Sequence, residues 1–443
     1  MLGDEIYNFI KEIYPITRSI TGNGVRETFD HIKKIIPDIK VHEIPTGTEV
    51  FDWEIPNEWN IREAWLADED GNRIVDLKEN NLHVVNYSQP VDKWVDLKEL
   101  EGHLYSIPDK PTAIPYITSY YNERWGFCIA DSQRRTLKDC KYHAYIDSTL
   151  EPGSLTYGEL IIPGESDEEI LLSTYVCHPS MGNNECSGIG VTTYLAKWLL
   201  SLENRKYTYR IVFVPETIGS ISYISKNLHQ LKEKTIAGFV VTCVGDDKAY
   251  SYMPSRNGDN ISDKVARHVL DNFVDSYDKY SFLERGSDER QYCHPAVDLP
   301  VASVMRSKYG TYPEYHTSLD DLDFISPKGL QGAYDVIQKC LLALELNGVY
   351  RNILPCEPKM SKRNLHPKEW HTRHLGDGAD LKKKVTDMMN TMVYCDGKLD
   401  IIDISNKIGI DFQTCAENIE ILLREGILVK LETKGRNDVC LHH

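Results

Sequence analysis

The segment 175–188 places a histidine at the end of an apolar run. His178 follows residues 170–176, Ile-Leu-Leu-Ser-Thr-Tyr-Val, which predict a strand covered on both faces. Residues 189–202 then have the apolar spacing of a helix. Ligands of open parallel sheets bind outside the carboxyl ends of the strands, so His178 occupies a suitable place for a metal ligand. A histidine in a loop is more often a surface or hydrogen-bonded residue, so position alone does not decide its role.

A carboxylate occupies the same kind of place after a second apolar run. Residues 207–214 predict a buried strand, and Glu216 follows directly, before another helical segment. A carboxylate there can take a proton from a metal-bound water and return it to a leaving amine. The alternative is a solvated residue that caps the next helix.

A second histidine precedes a long amphipathic helix, with several carboxylates close behind it. His316 is a candidate second metal ligand, and Asp320 or Asp321 would then orient its other ring nitrogen. The alternative is a capped loop, because Ser326 and Pro327 form a good N-cap and first-turn pair.

Together these motifs resemble those of the zinc aminopeptidase and glutamate carboxypeptidase superfamily. They are more closely similar to those of bacterial polysaccharide biosynthesis proteins with an aminopeptidase-like domain. The shared motifs are residues 178–180 leading to 187–188, the turn 215–220, the loop 286–292 and the segment 315–318. The narrower resemblance covers nearly the whole chain, and the broader one covers its peptidase portion. The resemblance implies a zinc-dependent hydrolase of a peptide or amide bond, and the family name suggests a link to surface-polysaccharide synthesis.

The sequence departs from the pattern of the two-zinc aminopeptidases, in which histidine and carboxylates hold each ion and one carboxylate bridges both. By the resemblance, His178 and His316 match the ligand histidines and Glu216 matches the general base. The positions of the other carboxylate ligands hold uncharged residues here, Asn184, Thr217 and Thr242. Amide and hydroxyl groups contribute no negative charge, so we expect at most one tightly held zinc ion.

A catalytic zinc usually has three protein ligands, so the two histidines need a third. Glu185 is the first candidate because it is the nearest available carboxylate to His178, and Asp288 and Glu289 are reserves. Asp288 and Arg290 are also candidate substrate-binding residues, since an arginine can hold a substrate carboxylate with two hydrogen bonds. The alternative for this polar loop is a solvated turn with internal ion pairs.

Three functions are therefore considered. The first is a zinc hydrolase acting on a peptide, or on an amide of an amino-sugar intermediate. The second is a non-catalytic binding protein on a degenerate peptidase fold, which the three uncharged positions favour. The third is a transcriptional regulator that uses the C-terminal residues, and the charge of the chain argues against it.

Composition limits the partners and the compartment. The net charge of −17 over 443 residues disfavours nucleic acid or anionic membrane as the main partner. Eleven cysteines without a Cys-x-x-Cys pair indicate reduced thiols rather than a disulfide framework. We see neither a basic region followed by an apolar core at the start nor an apolar run of membrane-spanning length. The expected location is the cytoplasm.

The changes of pattern along the chain predict an α/β fold with a doubly wound, mostly parallel sheet in residues 1–48 and 146–355. Residues 49–145 predict an inserted β-rich domain that holds five of the seven tryptophans, most of them expected in its core. One or two Trp or Tyr side chains would face the substrate if the insertion served as a lid.

Residues 380–443 have the pattern of a winged helix, with a bend expected at Gly409. Its second helix, within 412–425, is acidic overall, whereas DNA binding needs basic groups on that helix. A protein partner or homo-oligomerisation is therefore the favoured role of this module.

Overall fold

The computed structural model describes residues 1–365 and 378–431. Its α-helices are α1 (Leu2–Ile13), α2 (Asn23–Lys33), α3 (Leu97–Leu100), α4 (Asp131–Arg134), α5 (Ser187–Ser201), α6 (Ile218–Lys234), α7 (Ile261–Phe273), α8 (Glu289–Tyr292), α9 (Pro327–Leu346), α10 (Gly378–Tyr394), α11 (Ile401–Ile408) and α12 (Phe412–Arg424).

The strands of the first half of the chain are β1 (Lys40–Pro45), β2 (Glu49–Val50), β3 (Trp53–Glu54), β4 (Glu58–Asp68), β5 (Arg73–Asp76), β6 (Val91–Asp96), β7 (Leu104–Tyr105), β8 (Phe127–Cys128), β9 (Lys141–Glu151), β10 (Ser154–Ile162), β11 (Glu169–Tyr175) and β12 (Thr208–Val214). Those of the second half are β13 (Thr235–Val240), β14 (Ser251–Met253), β15 (Asp278–Lys279), β16 (Val301–Met305), β17 (Val349–Asn352), β18 (Asp396–Asp400) and β19 (Leu428–Lys430).

The main sheet has eight strands in the order β1-β10-β12-β11-β13-β16-β14-β15. Its four central strands, β12, β11, β13 and β16, run parallel, and antiparallel pairs flank them. Every residue of β11 is buried, as expected for a strand covered on both faces. The predicted α/β class is confirmed, and the sheet is mixed with a parallel centre. In the parallel register Tyr175 lies opposite Val214, so β11 and β12 end side by side.

The N-terminal residues join this sheet. Strand β1 pairs with β10 from Lys40 to Pro45. Helix α1 packs its apolar face on α5, where a side chain at Gly190 would lie 2.9 Å from Ile10.

The β-rich insertion contains a four-stranded sheet in the order β5-β4-β9-β6. Trp59 and Trp125 are buried, with exposed fractions of 3% and 8%. Trp65 is half-buried, whereas Trp53 and Trp94 are exposed by 42% and 52%. The prediction that most of these tryptophans lie in the core is therefore wrong. Alternation along a strand does not tell which face of a sheet the rest of the protein covers.

A second compact unit comprises residues 264–275 and the described part of 336–443. It holds α10, α11, α12 and the three-stranded sheet β18-β17-β19. Helix α11 ends at Ile408 and is capped by Gly409, whose φ of +71° confirms the predicted bend. The sheet includes β17, which precedes residue 380, the predicted start of the module. In residues 1–365 and 378–431, no helix combines the length and apolar character needed to cross a bilayer.

Candidate active site

Three predicted site residues, distant in the sequence, line one cavity of about 350 Å³. His178 follows β11, Glu216 follows β12, and His316 lies in the loop between β16 and α9. The ring centroids of His178 and His316 are 5.5 Å apart, and His178 Nε2 is 3.7 Å from Glu216 Oε2. Two imidazoles and one carboxylate therefore face a shared space at the carboxyl ends of the parallel strands.

Glu185 lies behind His178 rather than in the cavity. Its Oε2 accepts a 2.8 Å hydrogen bond from His178 Nδ1, and its Oε1 accepts the N–H of Cys177. Burial acts to lower the pKa of His178, but Cys177 and Glu185 beside it raise that pKa well above its ordinary value. One possible metal-ligand atom from each of Cys177, His178 and Glu185 lies within 4.8 Å of the others, so this group could also hold a metal ion. With Nδ1 bound to Glu185, the ring nitrogen left for a ligand is Nε2.

His316 is held by the inserted β-rich segment. Its carbonyl accepts a 3.0 Å hydrogen bond from Tyr116 N–H, and Ser318 N–H donates to the Ile114 carbonyl at 2.9 Å. These bonds stabilise the left-handed conformation of His316, with a φ of +53°, which is strained for a residue with a side chain. Its Nε2 is buried and has no hydrogen-bond partner. Burial, followed by the charge of His178, lowers the pKa of His316 to about 3.

Asp320 ties the two histidine loops together. Its carboxylate accepts the N–H groups of Asn183 at 2.6 Å and Asn184 at 3.0 Å, and its carbonyl accepts Gly182 N–H at 2.7 Å. Asp321 accepts backbone N–H groups of its own loop. The structure therefore does not show the predicted orientation of His316 by either aspartate, because both carboxylates bind backbone instead.

The turn after β12 is fixed by the loop that was predicted to bind substrate. Thr217 has a φ of +64°, and its N–H donates to Asp288 Oδ1 at 2.8 Å. Arg290 donates to Thr217 Oγ1 at 2.6 Å, and Ser287 Oγ donates to Glu216 Oε1 at 2.9 Å. Burial raises the pKa of Glu216, while His178 opposes the shift. Burial, followed by the charge of Glu216, raises the pKa of Asp288 to about 8.

Two of the positions that lack a carboxylate, Asn184 and Thr242, form a neutral, buried network with Tyr175. Asn184 Nδ2 donates to the hydroxyl of Tyr175 at 2.7 Å, and the Thr242 hydroxyl lies 2.5 Å from the same oxygen. Thr242 Oγ1 also donates to the Asn184 carbonyl at 3.1 Å. A neutral network offers no negative charge to compensate a metal dication at these two positions.

Sequence reasoning missed several residues of the cavity wall. One is Cys177, which follows β11, and the others are four aromatic residues of the insertion: Trp53, Tyr116, Tyr120 and Tyr121. The clustering of three tyrosines between 116 and 121 was an available signal.

Arg18 was also missed, and no local motif points to it. Its side chain is fully buried and donates from Nε to the His178 carbonyl at 3.0 Å and from an Nη to the Ile13 carbonyl at 2.6 Å. Its other Nη lies 3.0 Å from Cys186 Sγ. Arg18 thus anchors the backbone of His178 to the end of α1.

The fold and the site define an aminopeptidase-like α/β chain joined to a winged helix. The structure is similar to a zinc aminopeptidase from Bacillus subtilis, with a TM-score of 0.57 and 13% identity over 77% of this chain and 95% of that one. It is also similar to an M28 peptidase precursor from Shewanella amazonensis, with a TM-score of 0.54 and 13% identity over 81% and 97% of the two chains. At this identity the likeness shows the fold.

Residues 7–347 match the model of a family described as a domain of unknown function, DUF4910, and the chain belongs to this family. Residues 348–430 match a winged helix-turn-helix family, which confirms the predicted module. A Clostridium acetobutylicum protein, provisionally named a polysaccharide biosynthesis protein with aminopeptidase-like domain, is 44% identical over 96% of both chains. A crystal structure from the same organism, provisionally described as a peptidase, has a TM-score of 0.90 and 43% identity over 97% of this chain and 96% of that one.

Proposed function

We propose that this chain is a metal-dependent hydrolase of a peptide or amide bond. The observation that carries the proposal is that His178, His316 and Glu216 line one cavity, in which the buried Nε2 of His316 has no partner. The imidazole of His316, with its lowered pKa and its free Nε2, fits a zinc ligand, and we assign His316 and His178, the latter through its Nε2, to one zinc ion. When bound, zinc would supply a Lewis acid that polarises the amide carbonyl and acidifies water.

The role proposed for Glu185 differs from the direct ligand predicted from the sequence. Both of its oxygens are occupied by Cys177 N–H and His178 Nδ1. A carboxylate in this place fixes the tautomer and orientation of a ligand histidine and raises its basicity. We therefore assign Glu185 to positioning His178.

Glu216 is the proposed general base. Ser287 holds its Oε1, and its Oε2 points toward His178 Nε2 at 3.7 Å. The elevated pKa that burial gives Glu216 improves its ability to accept a proton near neutral pH and return it to the leaving amine. Asp288 and Arg290 support this turn through their hydrogen bonds with Thr217.

A non-catalytic binding protein is the second candidate, favoured by the neutral network of Asn184, Tyr175 and Thr242. The name of the C. acetobutylicum relative supports a role near polysaccharide synthesis, so an amino-sugar amide stands beside a peptide as candidate substrate.

The scattered cysteines support a cytoplasmic location. The acidic second helix of the winged-helix module supports a protein partner or self-association rather than nucleic acid.

Bound metal per chain tests the proposal in protein purified without chelator. We expect about one zinc ion, absent from His178→Ala and His316→Ala. The Glu216→Gln variant should retain the metal and lose hydrolysis of amide substrates. Absence of metal after incubation with excess zinc would support the binding protein instead, and turnover by Glu216→Gln would exclude Glu216 as the base.

A further inference from the structure

We infer that Cys177, His178 and Glu185 form a second cation site, which takes a thiophilic divalent ion on the Nδ1 side of the His178 ring. The proposed function uses the other ring nitrogen, Nε2, so this site goes beyond that function. An ion on Nδ1 would compete with zinc for His178, and this consequence alone rests on the proposed function.

The first argument is the spacing of the three ligand atoms. His178 Nδ1 lies 3.4 Å from Cys177 Sγ and 2.8 Å from Glu185 Oε2. One ligand atom of each residue lies within 4.8 Å of the other two. The bond lengths of a tetrahedral zinc site place neighbouring nitrogen, sulfur and oxygen ligands about 3.3–3.6 Å apart. Both separations from Nδ1 therefore differ by at most about 0.5 Å from the spacing that a tetrahedral ion requires.

The second argument is the chemistry of the donor set. Thiolate, imidazole and carboxylate together favour zinc and softer ions over magnesium or calcium. All three side chains are buried, so the charge of a bound ion must be compensated within the site. The thiolate of Cys177 and the carboxylate of Glu185 bring two negative charges, which balance one dication. The neutral network of Asn184 and Thr242 offers no such balance.

The third argument is that other hydrogen bonds already orient the ligands. The N–H of Glu216 donates to Cys177 Sγ at 3.3 Å, and the N–H of Cys177 donates to Glu185 Oε1, which leaves Oε2 directed at His178. Arg18 donates to the His178 carbonyl at 3.0 Å. Bonds that orient ligands in this way are typical of metal sites. Cys177 and His178 both line the cavity, so an ion can reach the site from it.

Occupation of this site changes the state of His178. The ring proton moves from Nδ1 to Nε2, the thiol proton of Cys177 goes to solvent, and the hydrogen bond between Nδ1 and Glu185 is lost. A neutral imidazole has one nitrogen that can accept a metal ion, so the same ring cannot then hold zinc through Nε2. Zinc on Nε2 leaves the bond to Glu185 intact, and the second site should therefore fill only when a thiophilic ion is in excess. Such an ion would inhibit the proposed hydrolase.

Cadmium titration of the metal-free full chain tests the site. A bond between cadmium and a thiolate gives a charge-transfer band in the ultraviolet, which histidine and carboxylate ligands do not give. We expect a band that saturates at about one cadmium ion per chain. Cys177→Ser should lose this band, because its hydroxyl can still accept the N–H of Glu216 but is not a soft ligand. Glu185→Gln should raise the cadmium concentration at half-saturation by at least about tenfold.

Two matched variants locate the ion. Cys356→Ser removes an exposed thiol and should keep the band. His316→Ala removes a proposed zinc ligand on the cavity side and should also keep the band. An unchanged band in Cys177→Ser, or no band in the wild type, would overturn the inference. Loss of the band in His316→Ala would also overturn it, because the ion would then lie between the two histidines.

Elemental analysis tests the competition for His178. After saturation with both metals and removal of weakly bound ions, zinc and cadmium together should total about one ion per chain. A total of about two would overturn the competition. A chain that binds no zinc but shows the cadmium band lost in Cys177→Ser would support the second site while contradicting the proposed hydrolase. The failures of the two proposals are therefore distinguishable.

Discussion

Replacing Glu185 with glutamine distinguishes two possible roles of this residue, which are to position His178 or to bind the metal directly. The carboxylate accepts two hydrogen bonds, from Cys177 N–H and from His178 Nδ1 at 2.8 Å. Glutamine has one acceptor oxygen, so the variant loses one charge-assisted bond of about 1.5–3 kcal/mol. Since about 1.4 kcal/mol corresponds to a factor of ten, zinc affinity should fall by about 10–100-fold. This is the range typical of substitutions in residues that hydrogen-bond to a metal ligand.

The assay is zinc titration against a competing chelator of known affinity. Glu289→Gln is the matched control, because Glu289 is equally buried and accepts two backbone N–H groups and the Tyr309 hydroxyl without contacting His178. Its zinc affinity should equal that of the wild type. Unchanged affinity in Glu185→Gln would refute the positioning role, and complete loss, as in His178→Ala, would identify Glu185 as a direct ligand.

Two further predictions concern the junction of the histidine loops. A side chain at Gly182 would lie 2.3 Å from the carbonyl oxygen of Asp321, so Gly182→Ala should lower the free energy of unfolding by about 2–4 kcal/mol. Gly102→Ala, where nothing lies within 4 Å, should change it by less than about 0.5 kcal/mol in the same urea titration; similar losses would contradict the close approach. Burial raises the pKa of Asp320 to about 7, and a carboxyl so shifted contributes stability at low pH that is lost as the pH rises from about 4 to 7. The advantage of wild type over Asp320→Asn in unfolding free energy should therefore shrink across that window, and a constant difference would contradict the assignment.

The sequence by itself determined the strands and the residues that follow them. Uninterrupted apolar runs report burial on both faces, and they placed β11 before His178 and β12 before Glu216. The helix cap at Ser326, which accepts the N–H of Gly329 at 2.9 Å, was also readable because capping is a local hydrogen bond. The uncharged residues Asn184, Thr217 and Thr242, at positions where the resembling aminopeptidases have carboxylate ligands, were also visible, because residue type can be read without knowing the geometry.

The tertiary structure decided how these residues act. Glu185 was readable as a nearby carboxylate, but its contact with His178 Nδ1 depends on the path of the turn into α5. Arg18 reaches the His178 carbonyl across 160 residues, and Tyr116 holds the His316 carbonyl from the insertion. Patterns of 2.0 and 3.6 residues record which face of an element is buried, and they carry no information about which distant loop covers it. Only the packed fold therefore reveals that aromatic residues of the insertion line one cavity with His178 and His316, and that the buried Arg18 holds the His178 backbone.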